Sequence, residues 1–541
     1  MNAPDRVAAG ARPLSAPTRD SAADVFHSIL FPKGESPDEI ESWCEPECFA
    51  DLNLDQVVEA VTAGRAEYNL KPFFYGFSRD TGVIEHRHEV FRDLDRSAFT
   101  EGVRSFASVM QRLREFLAQA KKLYHERQRQ RCFLDAVDVY CDAVRKLAGD
   151  FAAPDLRSSG LTAMRQYLAD YVASEKFCAM ELEVRRLIGE LEQVRYALHI
   201  DGRRVTVHRY EPEPDYGIDV LETFEKFTQG SSKEYRFDFR FALAMNHVEA
   251  AILDRVARLY PEVFSGLAAF CSRYRGFLNA VMTRFDREVQ FYLAWIEYTQ
   301  RFRDAGLSFC YPTVSNGSKE EFAQGGFDLA LAEKLRDGNA PIVTNDFSLT
   351  GPERILVVTG PNQGGKTTFA RMFGQLHTLA SLGCPVPAKQ ASLFLCDQMF
   401  THFEKEEDVR NLTGKLEDEL LRIHRILDLA TTDSILIMNE SFLSTTLNDA
   451  LFLSRQVMEQ IVELNLLCVS VTFLDELAAM GESTVSLVGA IDPEDPSHRT
   501  FKILRKRADG LAYAMAIAEK YRLTQDAVRA RIAGNVRERN T

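Results

Sequence analysis

The chain has 541 residues, well past the ~250–300 at which one hydrophobic core stops growing, so two or more domains are expected. A composition of 45% hydrophobic and 27% charged residues is that of an ordinary globular protein, and no uncharged apolar run reaches the ~18 residues a spanning helix needs. A formal net charge of -14 argues against coating nucleic acid through bulk charge and leaves room only for local basic patches.

Residues 1–25 are rich in Ala, Pro, Arg, Ser and Asp and have no apolar secretory core, so they read as a disordered tail and the default location is cytoplasmic, with no membrane partner. Ten scattered cysteines, the closest pair being Cys44 and Cys48, lack zinc-site spacing and read as buried free thiols in a reducing compartment. Residues 26–96 mix short apolar runs with turns and the aromatic cluster Phe73, Phe74, Tyr75 and Phe77, as in a small packed region. Residues 97–318 carry apolar positions at helical spacing, notably Phe116 to Phe151 and Val248 to Phe302, and predict a domain of long arms. A hairpin interrupts them near 196–210, where Ile200-Asp201-Gly202-Arg203 separates two flanks and Val205 and Val207 alternate with Thr206 and His208. Pro212, Pro214 and Gly217 then mark a loop before helical pattern resumes at Val220. A boundary is placed near Ser318. Beyond it, residues 319–541 alternate strand-like runs (Ile355 to Thr359, Ser434 to Met438, Leu467 to Thr472, Thr484 to Val488, Thr500 to Leu504) with helical ones, which predicts an α/β sheet flanked by helices.

Gly360-Pro361-Asn362-Gln363-Gly364-Gly365-Lys366-Thr367 fits G-x-x-x-x-G-K-[ST], directly after an apolar strand and before a helical run, Phe369 to Leu382. The glycines let backbone N–H groups wrap phosphates, a helix N-terminus adds partial positive charge, Lys366 reaches β/γ oxygens and Thr367 can ligate Mg²⁺. A nucleoside triphosphate, ATP, with Mg²⁺ is the expected ligand, and Thr368 completes the site. Ser434 to Glu440 offers the acidic strand that should accompany such a loop. Glu440 is the candidate base for water, with Lys366 as its catalytic companion; Asn439 stands where an aspartate usually supports the metal, so slow hydrolysis is expected.

Thr359 to Thr368 resembles the TGPN-x-GGK-[ST]-T signature of the MutS mismatch-repair ATPases. Pro385-Val386-Pro387-Ala388 is similar to that family's VPA, Asp397 with Phe400-Thr401 to its D-x-x-FT, Ser444-Thr445-Thr446 with Asp449 to part of G-T-S-T-x-D-G, and Tyr513 to Ala518 to SYG-x-x-VA. Upstream, Val83 to Leu94 resembles the element opening the family's helical core, and Pro341 to Asp346 the entry strand of its ATPase domain. The resemblance implies an ABC-like α/β P-loop ATPase domain C-terminal to a mainly α-helical core/lever domain. It also implies ATP and Mg²⁺, a homodimer formed through the ATPase domains, and DNA held through backbone and shape in DNA mismatch repair, with the 196–210 hairpin as a reduced clamp. By the same resemblance Phe400 joins the nucleotide-binding residues and Thr413 reaches the partner's γ-phosphate.

Departures from the family pattern are Asn439-Glu440 for Asp-Glu, Phe442-Leu443-Ser444 for Gly-Arg-Gly, and Phe473 for the histidine of A-T-H. No mismatch-reading domain fits before Phe73, and no Phe-x-Glu lies in a suitable context. These features sustain an alternative, a nucleotide-binding scaffold with little hydrolysis or DNA binding that engages a protein partner. The stripe Leu416, Leu420, Ile423, Leu427 reads as core-facing, His402 and His424 as surface or packing residues, and Lys502, Arg505, Lys506 and Arg507 as either a phosphate contact or a solvated strand edge.

Overall fold

A computed structural model describes residues 26–32, 43–211, 245–336, 338, 341–404, 414–491, 499–508, 525 and 529. Thr413, the loop residues Pro212, Pro214 and Gly217, the pattern resuming at Val220, the tail 1–25 and Tyr513 to Ala518 lie outside the described residues. The chain divides into two units by contact, one comprising 1–27 and 96–286, the other 28–95 and 287–541.

The second unit opens with short helices α1 (Cys48–Leu52) and α2 (Leu54–Thr62), followed by α3 (Thr81–Leu94), whose N-cap Asp80 accepts the Gly82 N–H. The first unit is built on α4 (Ser97–Ala120), α5 (Glu126–Ala152), α6 (Ser159–Ala173) and α7 (Glu175–Glu192). On α4, Phe99, Val103, Phe106, Met110 and Leu113 recur at helical spacing and are all buried, and Phe99 meets Phe151 of α5 edge-on at 4.9 Å. Expected as one helical run, Phe116 to Phe151 is broken at 121–125; the Lys121 to His125 turn contains neither glycine nor proline, so nothing local marks it. Strands β1 (Tyr196–Asp201) and β2 (Arg204–Arg209) form an antiparallel hairpin turning at Gly202, φ 57°. Helices α8 (His247–Leu259), α9 (Pro261–Arg273) and α10 (Ala280–Asp304) follow, so Val248 to Phe302 is also subdivided. Pro261 opens α9, and Asn279 accepts the Val281 and Met282 N–H groups at the start of α10.

In the second unit β3 (Thr313–Ser315), β4 (Glu321–Gly326), α11 (Leu329–Leu335), β5 (Asn345–Leu349), β6 (Ile355–Thr359), α12 (Lys366–Ser381), β7 (Gln390–Phe394), β8 (Met399–Phe403), α13 (Lys415–Leu429), β9 (Ile435–Asn439), α14 (Leu447–Glu463), β10 (Leu467–Val471), β11 (Thr484–Ile491) and β12 (Arg499–Arg505) make two sheets. One has the order β12-β11-β6-β10-β9-β8, parallel from β11 to β8 with β12 antiparallel at its edge; the other runs β3-β7-β4-β5. All five residues of β6 and of β10 are buried, as for central parallel strands covered on both faces. In this unit β3 already pairs with β7 in parallel at Thr313 to Ser315, on the N-terminal side of the boundary placed near Ser318. The strand expected from Pro341 starts only at Asn345, since 341–344 leave the ladder and Pro341 has no N–H to give it.

The 28–95 segment belongs to this unit through specific bonds. Arg371 Nε and Gln375 Nε2 on α12 donate to the carbonyls of Asp51 and Leu52 at 2.9 Å each, and Arg87 on α3 donates to Leu382 O at 2.9 Å. On α13, Ile423 is buried with Leu416, Leu420 and Leu427 packed against the same core, and His424 is exposed. His402 is buried in β8.

Candidate nucleotide-binding site

The site grows from β6, which delivers its backbone into a loop that only particular residues can follow. Gly360 has φ 117°, and a Cβ there would stand 2.8 Å from Gly489 N; at Gly364 a Cβ would stand 2.8 Å from Pro361 O. Gly365, φ 93°, occupies the N-cap of α12 and offers no side chain to the first helical N–H groups. Asp80, Ser158, Ser174, Asn246, Asp328 and Thr446 supply such a cap at other helices, while α1, α2, α4, α5, α9 and α13 also start without one, so it is the glycine loop before α12 that sets it apart. The amides of the first turn of α12 are therefore left for an anion, reinforced by the helix dipole.

Lys366 is 4% exposed, and its Nζ donates to Gly360 O at 3.1 Å, Pro361 O at 3.3 Å and Asn362 Oδ1 at 3.3 Å. These oxygens occupy the ammonium as phosphate oxygens could. Burial lowers the Lys366 pKa, while Glu440, 3.8 Å away, opposes the shift and Arg499 adds to it. Thr367 Oγ1 donates to Asn439 Oδ1 at 2.8 Å. That contact spans the sheet: Val471 of β10 is level with Val358 on one side and Asn439 on the other, so loop and β9 tip meet beyond the C-terminal ends of parallel strands. Glu440 follows at φ 54°, its N–H bonded to Val471 O at 2.9 Å, a left-handed conformation that turns the chain sharply as it leaves the strand. Phe442, φ 63°, donates its N–H to Glu419 Oε2 of α13 at 3.1 Å, and burial raises the Glu419 pKa.

A cleft of about 700 Å³ opens beside the loop. Gln363, Gly365, Lys366, Thr367, Thr368 and Glu440 form one wall; Leu331, Leu335, Pro341, Ile342 and Val343, with Asn345 and Arg499 to Phe501, form the other. Its size and mixed lining suit a nucleotide, with charge and amides at one end and aliphatic surface at the other. Among the residues expected from sequence, Gly360, Pro361, Asn362 and Gly364 shape the loop, whereas Phe400 packs against the core that includes Ile423 and is not among the residues lining the cleft. Asn439 and Thr367 bring two neutral oxygens together where a metal could be held, and among the described residues no group of three or more His, Cys, Asp or Glu forms a metal site. The aliphatic wall and Arg499 were not singled out from sequence; Pro341 to Asp346 and the β12 run were visible as segments, but nothing local says that they converge.

Phe473 is exposed, and so are Leu443, Leu447 and Phe452. Lys502 donates to Thr344 O, and Arg505 pairs with Glu353, so these two members of the basic run are engaged within the fold. No described helix is long and apolar enough to cross a membrane.

Residues 356–531 match the family model MutS domain V. The DNA mismatch repair protein MutS of Shouchella clausii is 32% identical over 152 residues, 28% of this chain and 17% of that protein. The DNA mismatch repair protein MSH3 of Eremothecium gossypii is 28% identical over 342 residues, 60% of this chain and 31% of that protein. The DNA mismatch repair protein MutS of Chlorobium phaeovibrioides is 23% identical over 387 residues, 69% and 39% respectively. The matched regions thus span well under half the length of these relatives. An α-helical region precedes mixed sheets that fall within the matched stretch, and the match and the relatives together show that this chain is similar to MutS proteins.

Proposed function

We propose that the chain is a MutS-like ATP-binding protein acting in DNA repair in the cytoplasm, an ATP-switched dimer that binds mismatched or otherwise distorted DNA and hydrolyses ATP slowly. The observation that carries the reading is the uncapped start of α12, with Lys366 turned onto loop carbonyls and Thr367 bonded to Asn439. In this reading 319–541 is an ABC-like P-loop ATPase domain, onto which 28–95 packs, and the long helices from 97 onward are its core/lever.

The loop amides at Gly360 to Thr368 cradle the phosphates, and Lys366 exchanges its carbonyl partners for β/γ oxygens. The base lies along Leu331, Leu335 and Ile342. Thr367 and Asn439 would hold magnesium, which would supply neutralisation of the phosphate charge. Glu440, next to Lys366 and turned out of the strand, orients and deprotonates the attacking water. A neutral Asn439 supports the metal less strongly than a carboxylate, hence slow turnover with binding preserved. Leu443, Leu447, Phe452 and Phe473, which follow β9 and β10 in the chain, are exposed apolar side chains that a partner could cover. Nucleotide occupancy then selects between dimer geometries and thereby between arm positions on DNA.

The alternative is a nucleotide-binding scaffold with little hydrolysis or DNA binding, favoured by Asn439 and by the exposed Phe473. ATPase rates with and without homoduplex, mismatched and branched DNA, over a range of salt, separate the two. Stimulation that depends on DNA structure supports the switch; tight ATP binding with neither turnover nor DNA response supports the scaffold.

A further inference from the structure

The nucleotide cleft is unusual in its charges. Among the described residues lining it, Glu440 is the one carboxylate, whereas Lys366 and Arg499 are both cations. The two oxygens best placed for a metal, Thr367 Oγ1 and Asn439 Oδ1, are neutral and bonded to each other. Magnesium sites in phosphate chemistry ordinarily rely on one or two carboxylates besides the phosphates. A triphosphate carries about four negative charges at neutral pH, so its charge needs another counterpart here.

The start of β12 is fixed in a position to provide one. Asn345 Nδ2 donates to Phe501 O at 3.2 Å, and its Oδ1 accepts the Ile503 N–H at 2.8 Å, so one side chain brackets the strand on either side of Lys502. Thr500 Oγ1 donates to Ala490 O at 2.6 Å on β11. Phe501, φ 56°, lies over the loop with its carbonyl oxygen 3.5 Å from where a Gly365 Cβ would stand. Arg499, half-buried and two residues before Phe501, lines the same cleft as Lys366.

We propose that Arg499, at the start of the strand that Asn345 brackets further on, is a second phosphate-binding cation of the cleft, supplied in cis, and that it lets ATP bind with little dependence on divalent metal. A guanidinium suits this role because its planar fork can meet two phosphate oxygens at once and it stays charged throughout the physiological range. The inference rests on the nucleotide reading above and adds a residue and a metal dependence to it.

Equilibrium binding of a fluorescent ATP analogue to the whole chain, in magnesium and in excess EDTA, tests it, with thermal unfolding as a check on folding. For wild type the affinity should fall by less than about fivefold on removing magnesium. Arg499→Ala should weaken binding in EDTA by about tenfold to a hundredfold, the range for losing bonds to a charged group, and Arg499→Lys should recover only part of that. Asn439→Asp should make binding rise with magnesium. A hundredfold loss for wild type in EDTA, or Arg499→Ala binding in EDTA as wild type does, overturns the proposal while leaving the nucleotide site intact. Failure of wild type to bind in either condition removes the nucleotide reading and this inference with it.

Discussion

The two walls of the cleft are built by opposite strategies. The loop wall, Gly360 to Thr368, is one uninterrupted stretch: glycine stands at φ 117° and 93°, Gln363 takes the left-handed region at φ 59°, and lysine and threonine hold the first helical positions. The opposite wall comes from the end of α11, the non-strand residues 341–343 and the first turn of an edge strand more than 150 residues further on, joined by the side chain of Asn345. A site can thus have one half fixed by local sequence and the other half by tertiary assembly. Damage to the first should strike backbone geometry, and damage to the second should loosen placement.

The sharpest way to break the comparison is at Gly360. A Cβ at 2.8 Å from Gly489 N, with φ at 117°, cannot be relieved by a flexible side chain, so Gly360→Val should destabilise the second unit by about 3 kcal/mol or more and lower its unfolding midpoint in urea. Next in size is Asn345→Leu, which leaves the Phe501 carbonyl and the Ile503 amide without their partner and should cost about 2 kcal/mol, with faster hydrogen exchange along β12 and weaker ATP binding. Equal exchange in the variant would show that β12 does not depend on the bracket. Glu440→Gln is expected to leave the unfolding midpoint within about 0.5 kcal/mol of wild type and to hold ATP while abolishing turnover in single-turnover assays. Smallest is Leu335→Ala on the half-buried aliphatic wall. It should weaken ATP by about 1 kcal/mol, some fivefold, while competition by inorganic triphosphate stays unchanged, because only the base end has lost surface.

What the sequence made legible follows the same division. Ile355 to Thr359 is a strand with the bounds its apolar run predicted, and the helix after the loop begins at Lys366, where the glycines stop. Asn439 is the last residue of β9 rather than the first beyond it, and its side chain meets Thr367. Periodicity was blind to the break at 121–125, since apolar spacing carries across a turn that has no breaker residue. It was equally blind to Arg499, whose relevance depends on a strand edge being bracketed by a residue 154 positions earlier. Phe400, which motif similarity puts among the nucleotide-binding residues, is partly buried against the core of α13 and β9. Local sequence reports on backbone conformation, whereas which side chains share a cavity is decided by sheet order.

The central claim, that this cleft is a nucleoside triphosphate site, is tested most directly by calorimetric titration of the whole chain with ATP and magnesium, beside Lys366→Ala. The account predicts saturable binding by wild type and at least about a hundredfold loss in the variant, which should remain folded. Absence of binding by wild type, or equal binding by the variant, would contradict it.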